Sequence, residues 1–456
     1  MPEPGQGLTR ALAAFIAGIE PTQLSRAAVE TVTRGLADCV GVMFAGRDEP
    51  AARLASGMVD VAQVPGGQRR SRVLGDRGFA SAPDAAFVNA VAAHALDYDD
   101  TGLDGHPSVV LVPLILAHGE ASGASGADAL AAYVAGYETW AELIARDEDK
   151  HHGKGWHPTA VFGVVAAAAA GARLARLDAR GAAHALGIAA SMAGGVVANF
   201  GSMTKPLQVG FAARNGLLAV ELAARGATAA PDALEHARGF LAALSPAGRV
   251  RLDGPMHAGD PWQIERQGLN VKRYPVCYAV HRAVDAAIEL HESVKDRLDG
   301  IDEVVVEIGQ LQADMLRSAR PDNVLDARFS AQFAMASALQ RGRLGLSELT
   351  GAYVNSASIQ AMIGKVRISA IDEHDPADPL FSPFDRVSVR FAGGEQRRSA
   401  PVRHARGHAL RPIDLQALRV KFMDCAGPAI GEAAAGDWWR ALMAFESGGP
   451  ASLNPP

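Results

Sequence analysis

The sequence predicts a multidomain α and α+β protein: a large all-α helical domain with a smaller inserted α+β domain. Three observations carry this. At 456 residues the chain is too long for one ordinary hydrophobic core. Up to residue 265 its apolar residues recur at helical spacing with no convincing strand. From 266 to 404 β-branched runs alternate with short helices, and 405–456 turns helical again and rejoins the first part. The boundaries read from texture are therefore 1–265 joined by 405–456, and 266–404.

The elements follow in order. The apolar run Ala11 to Gly18 is ended by Glu20 and Pro21 and is a first helix rather than a leader, since no small-residue cleavage pattern follows. A long amphipathic helix runs from Leu24 to Ala45, stopped by Gly46. Ser81-Ala82-Pro83-Asp84 opens a helix to about Asp97, Gly126-Ala127-Asp128 opens another through Leu143, and Thr159 to Leu177 is a third. Residues 181–204 are rich in glycine and alanine and poor in leucine, which fits a buried helix pair better than a membrane span. Beyond 265, IDEVVVEIG (301–309), KVRISAI (365–371) and DRVSVRFAGGEQRRSAPV (385–402) read as strands, the last turning at Gly393-Gly394. Helices begin near Cys277, Ala327 and Ser347, and Asp414 to Phe445 is helical again.

Composition removes several function classes. Apolar residues make up 48% and charged residues 21%, so disorder is not the general character of the chain. A net charge of −6 supplies no basic field, so neither nucleic acid nor an anionic membrane is an expected partner, and an anionic ligand must be held by a few local cations. Cys39, Cys277 and Cys425 lie far apart without a CxxC pair, which fits a reducing cytoplasm. No GxGxxG follows a strand, and Walker and GxSxG patterns are absent.

Four stretches carry chemistry. HALDYDDTGLDGHPS (94–108) places four acids between two histidines at a helix C-terminus, where carboxylates oppose the macrodipole. His94, Asp97 and Thr101 share a face if the helix continues that far. A polar cap with an Asx turn is the plain alternative. A metal cluster is another, although neither HExxH nor DxDxDG is present. In HHGKGWHPTAVFG (151–163), His157 precedes Pro158 at a helix start, where free N–H groups depress an imidazole's pKa and leave a neutral base; a surface loop with a capping histidine is the alternative, and the one that fits His151 and His152. In FGSMTKPLQVGFAARNG (200–216), Lys205 at a helix N-terminus forms a small anion site with the free N–H groups, or is a solvated lysine. VKRYPVCYAVHRAVDAA (271–287) offers Lys272, Arg273 and a Cys277, His281, Asp285 series at i, i+4, i+8, either a thiol–imidazole pair or a buried structural cysteine. Cations, histidines, an aspartate and a threonine suit a small polycarboxylate that loses a proton next to a carboxylate or carbonyl.

Taken together and in this order, HALDYDDT with HPS, GWHPTAVFG, SMTKPLQVGFAARNG, KRYPVC and DARFSAQFAMASAL (326–339) resemble the MmgE/PrpD family over nearly the whole chain. That family includes 2-methylcitrate dehydratase, cis-aconitate decarboxylase and iminodisuccinate epimerase. The resemblance implies the helical domain with an inserted α+β domain, a homodimer, and an active site between the domains that uses no metal and no cofactor. Its site positions correspond to Asp97, Thr101, His106, His157, Lys205 and Lys272. His157 would move the proton, with His106 or Asp97 as its orienter or second acid/base, and Lys205 and Lys272, flanked by Arg273 and Cys277, would hold substrate carboxylates.

The chain also departs from the better-known members. Cys277 stands where the decarboxylase branch has histidine, methylcitrate dehydratases lack the KRYPVC form, and the Thr101–His106 loop is one residue shorter than in the decarboxylase. The expectation is a cofactor-independent lyase of the dehydratase type acting on a small di- or tricarboxylate. An epimerase, a decarboxylase, a metal-dependent hydrolase and a non-catalytic binding protein are the competing readings. Asp99, Asp100 and Asp104 are expected to cap or brace the backbone.

Overall fold

The computed structural model describes residues 7–62, 70–74, 78–378 and 380–453. The chain divides into two units, Met1–Asn270 with Leu415–Pro456, and Val271–Asp414.

The first unit is helical. After α1 (Leu8–Gly18), Ser25 accepts the Ala28 N–H at 3.1 Å and opens α2 (Arg26–Gly46). A short antiparallel hairpin follows, β1 (Arg70–Arg72) with β2 (Phe79–Ser81), Arg72 opposite Phe79. No strand was expected before residue 265. Three-residue strands are too short to show alternation, which is why this one is not legible. Ser81 then accepts the Asp84 N–H to start α3 (Ala82–His94), whose residues are buried all round. A helix apolar on every face belongs inside a larger protein. It packs on α4 (Ser108–Ser122) and on the later α8 (Thr204–Ala224).

Ser125 caps α5 (Gly126–Ile144), and the alanine run of α6 (Gly163–Leu174) lies against it. The expected single helix from Thr159 is divided into a turn, Pro158–Val161, and α6. The expected helix pair over 181–204 is one helix, α7 (Ala179–Ala190), and then a largely half-buried and exposed loop containing a single 3-10 turn, Val197–Asn199. That loop reaches the candidate site. No helix among the described residues is long and apolar enough to cross a membrane.

In the second unit, α9 (His281–Val294) leads to β3 (Ile301–Gly309), and α10 (Ala331–Arg341) precedes β4 (Val366–Ile371). β5 (Arg386–Phe391) and β6 (Gln396–Arg398) close the sheet, whose order is β4-β3-β5-β6. β3 runs parallel to β4, Val304 opposite Val366, and antiparallel to β5, Val304 opposite Val389. The parallel pair needs a long crossover, supplied by the helical stretch between them. Gly393 and Gly394, both at positive φ, make the β5–β6 turn as expected. Phe333, Met335 and Leu339 of α10 and Val284 and Leu290 of α9 fill a core with Val304, Val306, Val387 and Val389.

The expected Cys277–His281–Asp285 helix face is corrected here. Cys277 lies before the 3-10 turn Tyr278–Val280, not on α9. His281 Nε2 meets the Val276 carbonyl at 3.2 Å, and Asp285 accepts from the Tyr274 hydroxyl at 2.5 Å and the Arg406 N–H at 2.6 Å. These contacts tie loops together. The last segment returns to the first unit as α11 (Leu415–Ile430), packed on α2, and α12 (Glu432–Met443).

Candidate active site

Within the first unit, the C-terminus of α3, the loop 95–107, the His157 turn and the start of α8 bring six charged or imidazole groups together. α3 stops at His94, so His94, Asp97 and Thr101 do not share a helix face. Asp97 takes a positive φ of 52°, as do Leu103 and Asp104 at 52° and 55°. Left-handed backbone is uncommon outside glycine, and it turns the chain sharply after the helix. Thr101 is held by paired backbone bonds to Asn270 at 2.9 and 2.8 Å.

Asp99 is the centre of the cluster. Its fully buried carboxylate lies 3.0 Å from His94 Nδ1 and 2.7 Å from His106 Nδ1. His106 Nδ1 also approaches the Asp100 carbonyl at 2.9 Å. Burial works against the Asp99 charge, but the two imidazoles hold the carboxyl well below the usual range. Burial lowers His94 to about 4, overriding the Asp99 charge, so the ring is neutral at pH 7. A neutral imidazole facing a carboxylate keeps its proton on the shared side, which leaves His94 Nε2 a bare acceptor. That atom is buried without a hydrogen-bond partner among the described residues.

His157 is arranged in the same way by a different residue. Its Nδ1 is 2.7 Å from Gln208 Oε1, and Gln208 Nε2 donates to the Val196 carbonyl at 3.1 Å, which fixes the amide orientation. Nδ1 therefore carries the proton and Nε2, also buried and without a hydrogen-bond partner among the described residues, carries the lone pair. The ring packs edge-on against Phe200 at 4.8 Å and lies 6.2 Å from the His94 ring. Burial, then the electrostatic influence of His94 and the Lys205 ammonium, lowers His157 to about 2. The loop must also pass close by: a Cβ on Gly195, whose carbonyl accepts the His157 N–H at 3.1 Å, would stand 2.7 Å from Ala160 Cβ.

Lys205 completes the group. Its ammonium donates to Asp97 Oδ1 at 2.7 Å and sits 5.1 Å from the Phe200 ring centroid. Lys205 and Gln208, i and i+3 at the start of α8, share the face that meets the site. Asp100 and Asp104 brace the loop as expected: Asp100 accepts the Ser108 N–H at 3.3 Å, and Asp104 pairs with Lys150 at 2.8 Å. Asp99 does not; its role, with those of His94 and Gln208, was missed from sequence. The helical spacing of Lys205 and Gln208 was the available signal.

A family model described as the MmgE/PrpD N-terminal domain matches residues 10–253, and one described as the MmgE/PrpD C-terminal domain matches 274–442. The chain belongs to the MmgE/PrpD family. Among its relatives, the cis-aconitate decarboxylase of Mus musculus is 29% identical over 437 residues, covering 91% of this chain and 86% of that one. The Homo sapiens cis-aconitate decarboxylase is 27% identical, covering 91% and 87%. A cis-aconitate decarboxylase-like protein of Aspergillus oryzae is 25% identical, covering 86% and 85%.

In this MmgE/PrpD chain the remaining expected site residues belong to the second unit. Lys272 and Cys277 are buried there and Arg273 is half-buried; the Cys277 N–H donates to the Arg328 carbonyl at 2.8 Å. His94, Asp97, Asp99 and His106 each offer one possible metal-ligand atom, all within 4.8 Å of one another. Both Nδ1 atoms already face Asp99, and the Lys205 ammonium paired with Asp97 would repel a metal cation.

Proposed function

We propose that this chain is a cofactor-independent lyase of the dehydratase type, acting on a small di- or tricarboxylate. One observation carries the reading: His157 holds a neutral imidazole with its proton fixed on Nδ1 and its Nε2 lone pair bare. A general base must be unprotonated at the working pH, and burial of this ring disfavours its charged form. In the proposed step Nε2 takes the proton next to a substrate carboxylate. The C–H electron pair becomes the new C=C bond, and hydroxide leaves from the neighbouring carbon as water with a proton from His106. Lys205 holds a carboxylate, a charge-assisted contact worth about 1.5–3 kcal/mol. Lys272 and Arg273 are proposed to hold a second carboxylate beside Cys277, and Thr101 to line the substrate. The ammonium on Asp97 supports a site built for anions rather than a metal ion.

Decarboxylation is the second reading, favoured by the names of the relatives. There the C–C bond breaks, CO2 leaves, and the electron pair left on carbon takes a proton. That step too needs a proton donor, the part given to His106 in dehydration. A homodimer in the cytoplasm remains part of the proposal.

Proton NMR of citrate, methylcitrate, aconitate, malate-like acids and iminodisuccinate incubated with the protein separates the readings. An unsaturated acid formed without CO2 is the expected result. CO2 release would establish the decarboxylase, and inversion at carbon without a double bond the epimerase. Stoichiometric bound metal with activity lost to chelation would replace all three.

A further inference from the structure

We propose that Lys421, on the returning C-terminal segment, is a positioning residue for the histidine–aspartate cluster. Its ammonium is buried, 1% exposed, and lies 2.5 Å from Asp38 Oδ1 on α2. It donates to the Tyr98 carbonyl at 2.8 Å and stands 3.9 Å from the Tyr98 ring centroid. Tyr98 is the residue between Asp97, in left-handed backbone, and Asp99, whose carboxylate orients both imidazoles.

The placement has a physical reason. A non-glycine residue in left-handed backbone persists only where its surroundings over-determine it. A buried ion pair is generally no more stable than apolar side chains filling the same space, so stability alone does not account for this lysine. What an apolar residue cannot do is donate to the Tyr98 carbonyl. Lys421 therefore anchors the 98–99 peptide from behind, and with it the carboxylate that keeps the protons of His94 and His106 on Nδ1. Asp38 balances the charge. Lys421 touches no reacting atom and acts through Tyr98 and Asp99.

The inference rests on the cluster being the proton-transfer site, but its test needs no substrate. In the full chain labelled with ¹⁵N-histidine, long-range ¹H–¹⁵N spectra report which ring nitrogen of each histidine carries the proton. Lys421→Met alone leaves Asp38 as an uncompensated buried charge, so the informative protein is Lys421→Met/Asp38→Asn, which removes both charges at similar volume. The expected result is a folded protein in which His94 and His106 lose the uniform Nδ1–H pattern. Lys421→Gln/Asp38→Asn, which keeps an amide donor for Tyr98, restores it. Asp38→Asn alone keeps the ammonium on Tyr98 and leaves the pattern unchanged, and this variant tests the idea even if the methionine protein does not fold. Wild-type tautomers in Lys421→Met/Asp38→Asn would overturn the proposal. So would an altered pattern in Asp38→Asn alone, which would make the ion pair and not the carbonyl contact responsible.

Discussion

His157 Nδ1 lies 2.7 Å from Gln208 Oε1, and the Gln208 amide is turned that way by its own bond to the Val196 carbonyl. This contact decides which nitrogen is free to accept a proton. Gln208→Leu removes the acceptor, leaves a buried N–H unpaired at a cost of about 1–3 kcal/mol, and no longer fixes the proton on Nδ1. Steady-state kinetics on the turned-over acid should then show kcat reduced roughly 10- to 100-fold with KM little changed.

The low affinity of His157 for a proton has a consequence for stability. Its folded-state value of about 2 lies below the ordinary value of 6.5, so below pH 6.5 the unfolded chain binds a proton that the folded chain does not. Wild type loses stability from this residue as pH falls from 6.5. His157→Gln lacks the term. The stability advantage of wild type over the variant should shrink on acidification by up to about 1.4 kcal/mol per pH unit. Denaturant unfolding of both at pH 7.5 and 5.5 measures it; a constant difference would contradict a buried neutral ring.

Asp99 is asked to hold two imidazoles at once. Asp99→Asn removes the charge that both imidazoles face and leaves one acceptor oxygen for two N–H donors, so it should destabilise the protein by on the order of 3 kcal/mol and abolish most turnover. Asp104→Asn, on a surface pair with Lys150, should change stability by less than about 1 kcal/mol. Thermal and denaturant unfolding of the two variants separates a central carboxylate from a bracing one.

Lys205 should act on binding more than on chemistry. Lys205→Met removes a charge-assisted contact to a substrate carboxylate and leaves His157 oriented by Gln208. KM is expected to rise roughly 10- to 100-fold, more than kcat falls. A kcat loss with unchanged KM would assign the ammonium to the transition state instead.

Much of this arrangement was open to reading in the sequence, and the exceptions have physical causes. Gly126-Ala127-Asp128 announced α5 because a helix start followed by a long apolar period is a local signal. The strand IDEVVVEIG coincides with Ile301–Gly309 for the same reason. The turn at Asp97 was not legible, because aspartate tolerates left-handed backbone without requiring it and its surroundings decide. Lys205, His106 and His157 were placed by motif and do meet Asp97, Asp99 and Gln208. That Asp99 and not Asp97 holds the imidazoles depends on side-chain directions after the helix ends, which spacing does not encode. Lys421 lies more than 300 residues beyond Tyr98, and nothing local marks it.

The central claim is that His157 Nε2 removes a proton next to a substrate carboxylate. Proton NMR in D2O, with the polycarboxylate panel and either wild type or His157→Gln, tests it most directly. The account predicts deuterium entering the carbon beside a carboxylate of at least one acid with wild type, and at least about a hundredfold slower entry with the variant. Equal rates of exchange in the two proteins would contradict it.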